Sequence, residues 1–316
     1  MEFRIPFGTW IETGKDWIEN NLDWLLSFLG DLWTGMYDAV NWVFATPPAI
    51  AIIIVLAIAA LFARGWKFAL GTVAGLVFII GVDQWENSMD SLSLVLVSAV
   101  LALLLGIPLG IWAARNQHVS NIVKPVMDFL QTMPAFVYLI PAIAFFGVGV
   151  APGIFATVLF AIAPGVRLTE LGIRNVDKEV VEAGQAFGAS PRRILRQIQL
   201  PLAMPSIMAG VNQVIMLSLS MVVIAGMVGA GGLGGQVTRA VSGLDIAIGA
   251  EAGISVVILA IILDRFTGAF GQKRGLHLIR RIRGTVLKDS PIKETEGKDT
   301  ERILAENSGN RRNPGR

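Results

Sequence analysis

The chain has 316 residues, 53% hydrophobic and only 16% charged, with a formal net charge of +2 and no cysteine. A soluble domain of this length needs far more charge to cover its surface, so the bilayer must be the solvent for much of it. The small net charge points to no nucleic-acid partner, and the missing cysteines exclude disulfides, thiol catalysis and thiolate metal sites.

Residues 1–46 carry Glu2, Glu12, Asp16, Glu19, Asp23, Asp31 and Asp38 against Arg4 and Lys15, with apolar residues at helical spacing. Trp10, Trp17, Trp24, Trp33 and Trp42 suit a helix lying among lipid headgroups, where indole is favoured. The start Met1-Glu2-Phe3-Arg4 lacks the basic-then-apolar order of a secretory signal, so the first apolar span is expected to be retained. Apolar runs then fall at 47–63, 66–82, 92–113, 125–147, 152–167, 204–228 and 247–264. Each approaches the roughly 17–25 residues that cross a membrane as helix, which predicts an all-α polytopic protein of about seven spans. Residues 47–90 hold a first hairpin, turning at Arg64-Gly65-Trp66-Lys67, and 91–267 the main helical body. The segment 268–316 reads as a basic, then disordered, tail.

Cations set the orientation. Arg64 and Lys67, then Arg115 and Lys124, then the cluster from Arg167 to Arg196, then the run after Arg265 all follow alternate spans. The intervening loops are poor in Lys and Arg. The cation-rich side is therefore expected in the cytoplasm, with the N-terminus outside and the C-terminus inside.

Between 174 and 201 lies a polar stretch flanked by spans. Asp177 is placed to cap a helix ending near Phe187, Gly188 to supply a left-handed turn, and Ser190-Pro191 to start a second helix. That helix has Arg192, Arg193 and Arg196 on a solvated side and Ile194, Leu195 and Ile198 on an apolar one, and Pro201 is expected to stop it. Small residues at Ala183, Gly184, Ala186, Gly188 and Ala189 let a partner surface approach closely.

Glu182-Ala183-Gly184, with Gly188 four residues beyond Gly184 and then Ile198-Gln199-Leu200-Pro201, resembles the "EAA" loop of permease subunits of binding-protein-dependent ABC importers. Gly184 stands where the second alanine is usual. The stretches Gln131–Pro141, Gln199–Pro205, Ala209–Gln213, Leu219–Ala225 and Ile261–Arg265 are similar to the glycine betaine/proline (osmoprotectant) branch, over roughly 70–267. The resemblance implies a type I ABC importer transmembrane fold in a prokaryotic cell membrane. It also implies that Glu182 to Pro191 forms a coupling helix docking on an ATPase, with Ile198, Leu200 and Pro201 completing the motif.

No Gly-x-x-x-x-Gly-Lys-[Ser/Thr] occurs, so ATP and its Mg are expected on a separate ATPase subunit and no cofactor or metal on this chain. His118 and His277 lie in different polar segments, which argues against a zinc site. No Ser/His/Asp, HExxH or paired-carboxylate cluster supports an enzyme. Gly229-Ala230-Gly231-Gly232-Leu233-Gly234 satisfies the dinucleotide pattern, but a long apolar run precedes it and no βαβ unit follows. A flexible outer loop touching a separate binding protein is the expectation there, with Gly149, Gly231, Gly232 and Gly234 as contacts. Pathway or gate candidates are Pro134, Phe136, Tyr138 and Pro141, with Asn212, Gln213, Ser218 and Ser220. Gly106, Pro108 and Gly110, like Pro134 and Pro141, are expected to bend or break their helices. The partners expected are a second permease copy, two ABC ATPase subunits, an extracytoplasmic binding protein and membrane lipid. The cargo read from the resemblance is glycine betaine or a related compound. Choline, carnitine or an amino acid is the alternative within that class, and an ion-coupled secondary carrier the alternative outside it.

Overall fold

A computed structural model describes residues 6–286, with side chains as far as Ala269. The expected tail beyond Val286 lies outside the described residues. The chain divides between Gln272 and Lys273, and all the packing below belongs to the unit before that point. Among the described residues every regular element is helical.

The longest helix of the N-terminal segment, α1 (Phe7–Ala45), is interrupted at Leu22, where φ is −122° and ψ 16°. Its second half is docked: Trp33 packs on Phe146 and Phe155, Tyr37 is buried, and Asn41 bridges Asp90 and Ser93. Trp10, Trp17, Trp24 and Trp42 stay exposed. The chain then turns by 95° into α2 (Ala49–Arg64), which pairs with α3 (Trp66–Gly81) as the expected hairpin. A single residue, Gly65 at φ 91°, makes that turn. Apolar side chains of the hairpin, Ile53, Leu76 and Ile79, meet Leu233 of α11 (Gly232–Gly243) and Leu259 of α12 (Ile246–Val286).

Three helices form the centre: α4 (Trp85–Arg115), α7 (Val150–Arg174) and α10 (Leu200–Ala225). The middle one is the most buried, because α4 and α10 cover two of its sides. Glycines permit the contact. A Cβ on Gly110 would lie 2.6 Å from the Val166 carbonyl oxygen, and one on Gly172 2.7 Å from Ser206 Cβ. Small residues that bring backbones together are a common way to hold helices where lipid offers no hydrophobic drive.

Prolines behave unequally. Pro108 sits inside α4 without breaking it, and its neighbours Gly106 and Gly110 lie against α7. Pro134 does break its span. Met133 before it is extended, with ψ 133°, as steric contact with a following proline ring demands. The expected 125–147 span is consequently two helices, α5 (Gln117–Thr132) and α6 (Leu139–Phe146), bent by 109° with a short 3-10 turn between. Pro141 falls in the first turn of α6 and bends nothing further. Pro201 does not stop its helix either. The elements α9 (Pro191–Ile194), a π-helical turn (Leu195–Gln199) and α10 follow without interruption. The Leu200 amide donates to Leu195, five residues back. Widening the turn accommodates a residue that has no N–H and whose ring crowds the preceding turn.

Among the described residues four stretches are single helices long and apolar enough to cross a bilayer: Trp85–Arg115, Val150–Arg174, Pro191–Val228 and Ile246–Ala269. The two bent pairs, α1 with α2 and α5 with α6, bring the number to six. The 16 residues of α3 are apolar but short.

Replacing Gly110 by Ala should destabilise the α4–α7 contact by about 1–3 kcal/mol through overpacking. Gly71→Ala is the control, since a Cβ there meets nothing within 4 Å. Thermal unfolding in detergent should show a lowered midpoint for the first variant alone.

Candidate functional site

The polar loop after α7 folds as the sequence reading expects up to Leu195. Asp177 caps α8 (Lys178–Ala186), its carboxylate accepting from the Glu179 amide at 2.9 Å. The helix closes with two reverse hydrogen bonds: Ala189 donates to Gly184 at 3.1 Å and Gly188 to Gln185 at 2.8 Å. This is the Schellman arrangement, and it needs a left-handed residue at Gly188, where φ is 74°. Ser190 then accepts from the Arg193 amide, and Pro191 occupies the first turn of α9.

The loop is bound to the bundle by an apolar cluster. Leu195, with the half-buried Val181 and Ile198, packs on Ile173 at the end of α7, on Val176 just beyond it, and on Ala203 and Ile207 of α10. Leu200 joins the same cluster, and Pro201 is half-buried beside it. Gly184 lies under Ile198, whose Cδ1 would stand 2.6 Å from a Cβ there. What faces outward is Glu182, Ala183, Ser190 and Pro191, the three arginines, and above all Phe187, at 92% exposure. Glu182 also borders a cavity of about 250 Å³ with Arg174, Lys178, Gln185 and Gln199. Ala189 is half-buried at the turn.

The pathway candidates separate into two groups. Pro134, Phe136, Gln213 and Ser220 are exposed; the last two, seven residues apart, share one face of α10, a helix that also contacts the 135–138 turn. Tyr138 and Ser218 instead belong to the interior. Tyr138 packs edge-on to Phe160, and its hydroxyl donates to the Leu130 carbonyl, capping the end of α5 across the break. The Ser218 hydroxyl has no partner among the described residues. Asn212 is an inter-helix latch, donating to Asp264 Oδ1 at 3.1 Å and accepting from Thr267. Pro141 is half-buried.

The glycine run after α10 also needs correction. Gly232 and Gly234 are buried: a Cβ on Gly232 would lie 2.5 Å from Ser91 Oγ, and one on Gly234 2.6 Å from the Val223 carbonyl. The Leu233 amide donates to Ser91 Oγ at 2.8 Å. This segment is clamped on α4 and α10, not flexible. Of the four candidate contacts Gly231 alone is exposed, while the Gly149 amide is tied to the Val228 carbonyl at 2.9 Å.

Sequence reasoning missed Glu170. Its carboxylate is 3% exposed, yet it accepts from Ser120 at 2.7 Å, pairs with Arg174 Nε at 2.8 Å and faces Lys124 at 3.3 Å. The signal was the spacing of four between Glu170 and Arg174 on one helix.

Residues 106–275 match the family described as "Binding-protein-dependent transport system inner membrane component", more than half of the chain. The chain belongs to this family of ABC importer permeases. The permease is 47% identical over 273 residues to the glycine betaine/carnitine transport permease protein GbuB of Listeria monocytogenes, covering 85% of this chain and 96% of that one. It is 42% identical to the glycine betaine/proline betaine permease protein ProW of Escherichia coli, over 85% of this chain and 76% of the relative. Against the glycine betaine permease protein OpuAB of Bacillus subtilis it is 48% identical, over 70% and 78% respectively. Among solved structures the permease superposes on a chain of the MetNI methionine ABC transporter, in inward-facing conformations, with a TM-score of 0.57. The match is 20% identical, over 60% of this chain and 95% of the other, and it shows the fold. The permease is a multi-pass inner-membrane component and is not itself the ATPase.

In the permease, Gly188→Val should cost the turn about 1–2 kcal/mol, since a side chain in the left-handed region is strained. Hydrogen exchange should quicken at the Ala189 amide while α7 stays protected. Unchanged exchange there would show that the turn does not depend on Gly188.

Proposed function

We infer that this permease imports glycine betaine or a related quaternary ammonium or proline-type osmoprotectant, driven by a separate ATPase that docks on the loop from Glu182 to Pro191. The observation that carries the docking is Phe187, a 92% exposed aromatic at the tip of a turn fixed by Gly188 and two caps. Exposed small residues beside it, Ala183 and Ala186, leave space for the walls of a groove. A buried aromatic anchor in a pocket is the usual centre of an interface. The cargo class is supported by relatives named for glycine betaine transport.

The finer arrangement follows the cation pattern. Seven spans place the N-terminus outside and the loop and C-terminus in the cytoplasm. The exposed tryptophans of α1 lie among lipid headgroups. Two copies pair, because two ATPase subunits need two docking loops and the chain has one. ATP and Mg sit on those ATPases, and the permease binds no cofactor. A separate extracytoplasmic binding protein releases cargo near Gly149 and Gly231, and the buried Gly232 and Gly234 hold that rim in place. Gln213 and Ser220 on α10, with Pro134 and Phe136 at the broken span, line the route.

Phe187→Asp should leave the permease monodisperse but weaken its hold on the ATPase by at least about thirtyfold, the roughly 2 kcal/mol of an interface hot spot. Co-purification and uptake of radiolabelled glycine betaine, proline betaine, carnitine, choline and proline check this together. Retained ATPase and retained uptake would refute the docking. Uptake by the lone permease in liposomes without ATPase would favour an ion-coupled carrier instead.

A further inference from the structure

Along α5, Gln117, Ser120, Lys124 and Asp128 form one stripe at spacings of three and four. Each meets a polar partner on α7, and the order is antiparallel. Gln117 accepts from Arg174 at 2.8 Å, Ser120 and Lys124 both engage Glu170, and Asp128 pairs with Arg167. Arg174 reaches a third helix as well, donating to the Ala113 carbonyl of α4 at 2.9 Å. One guanidinium thus joins α4, α5 and α7, three residues before the cap of α8.

Glu170 is the buried member of this ladder, while Lys124, Asp128, Arg167 and Arg174 stay partly exposed, so the charge that must be paired is that of Glu170. A ladder of specific pairs does something apolar contact does not: it fixes which turn of α5 faces which turn of α7. Two cavities border it. One of about 250 Å³ is lined by Arg174 and Glu182. A second, of about 290 Å³, is lined by Lys124, Asp128, Arg167, Glu170 and Arg174. The far end of α5 is the 109° break at Met133–Pro134, and the turn that follows it contacts α10.

We propose that Glu170 and Arg174 are positioning residues for energy coupling: a buried ionic joint that converts displacement of the α8–α9 loop into movement of α5 and its broken end. The proposal rests on the reading of that loop as the ATPase-docking element. Loop and joint are contiguous through Asn175, Val176 and Asp177, and the cluster around Ile173 and Leu195 makes them move together. Severing the joint leaves docking intact and disconnects it from the pathway.

The test uses the whole complex of permease, ATPase and binding protein in proteoliposomes, with ATP hydrolysis and uptake of radiolabelled glycine betaine measured on the same vesicles. Glu170→Gln should retain the ATPase and its hydrolysis while cargo moved per ATP falls about tenfold or more, since one partner of a buried pair is removed. Glu170→Asp, which restores the charge, should recover most of that ratio. An unchanged ratio, or a parallel loss of hydrolysis and uptake in an assembled complex, overturns the joint. Where Glu170→Gln fails to assemble, Gln117→Ala with Ser120→Ala decides, because both keep the ion pairs; an unchanged ratio there overturns the proposal equally. Loss of the ATPase from Phe187→Asp alone reports on docking, so the two readings fail separately.

Discussion

The close approach of α7 to α4 and α10 governs the rest of the molecule. It exists because Gly110, Gly172 and Gly210 offer no side chain where backbone or Cβ atoms of the neighbouring helix pass within about 3.3 Å of a would-be Cβ. With no water to drive helices together inside a bilayer, such packing supplies much of the cohesion. It also fixes where α7 ends, and therefore where the charged residues of its last turns, Arg167, Glu170 and Arg174, come to lie.

From that end the loop inherits its stiffness. Two caps and a Schellman turn satisfy the free backbone groups of α8 and α9 without help from a partner. The cluster of Ile173, Val176, Leu195, Ala203 and Ile207 then seats the pair on the bundle. A flexible loop would absorb a push, whereas one seated in this way is stiff enough to pass it to α7 and α10. Its outward face carries few apolar groups besides Phe187 and Val180, which limits what the surface can grip.

Much of this was legible in the residues. The spacing from Glu182 through Gly188 to Leu200-Pro201 singled out the polar loop after α7, and Asp177, Gly188 and Ser190 do what their chemistry suggests. The Met133–Pro134 break was legible too, because proline restricts its predecessor whatever surrounds it. Other positions depend on neighbours that a single strand of letters does not reveal. Gly232 and Gly234 have the same letter as Gly231, but their reason is close contact with α4 and α10. Pro108 and Pro201 carry the same ring as Pro134, and only the packing of α7 and a widened turn keep their helices whole. Tyr138 stood among the pathway candidates, yet its ring packs on Phe160 and its hydroxyl serves the end of α5. Glu170 was hidden by where the span was drawn to stop, at 167, seven residues before α7 ends.

The widened turn at Leu195–Gln199 has a further consequence for aim. A π turn carries one residue more than the α-helical path it replaces, and each residue of an α-helix rotates the chain by about 100°. The bearing of Arg192, Arg193 and the knob before them, relative to the exposed side of α10, is thus set by a single surplus residue. A chain shortened by one position there would keep its composition and its caps, yet swing the knob by roughly a quarter of a circle. Its aromatic tip would then point along a different bearing from the one Phe187 now holds.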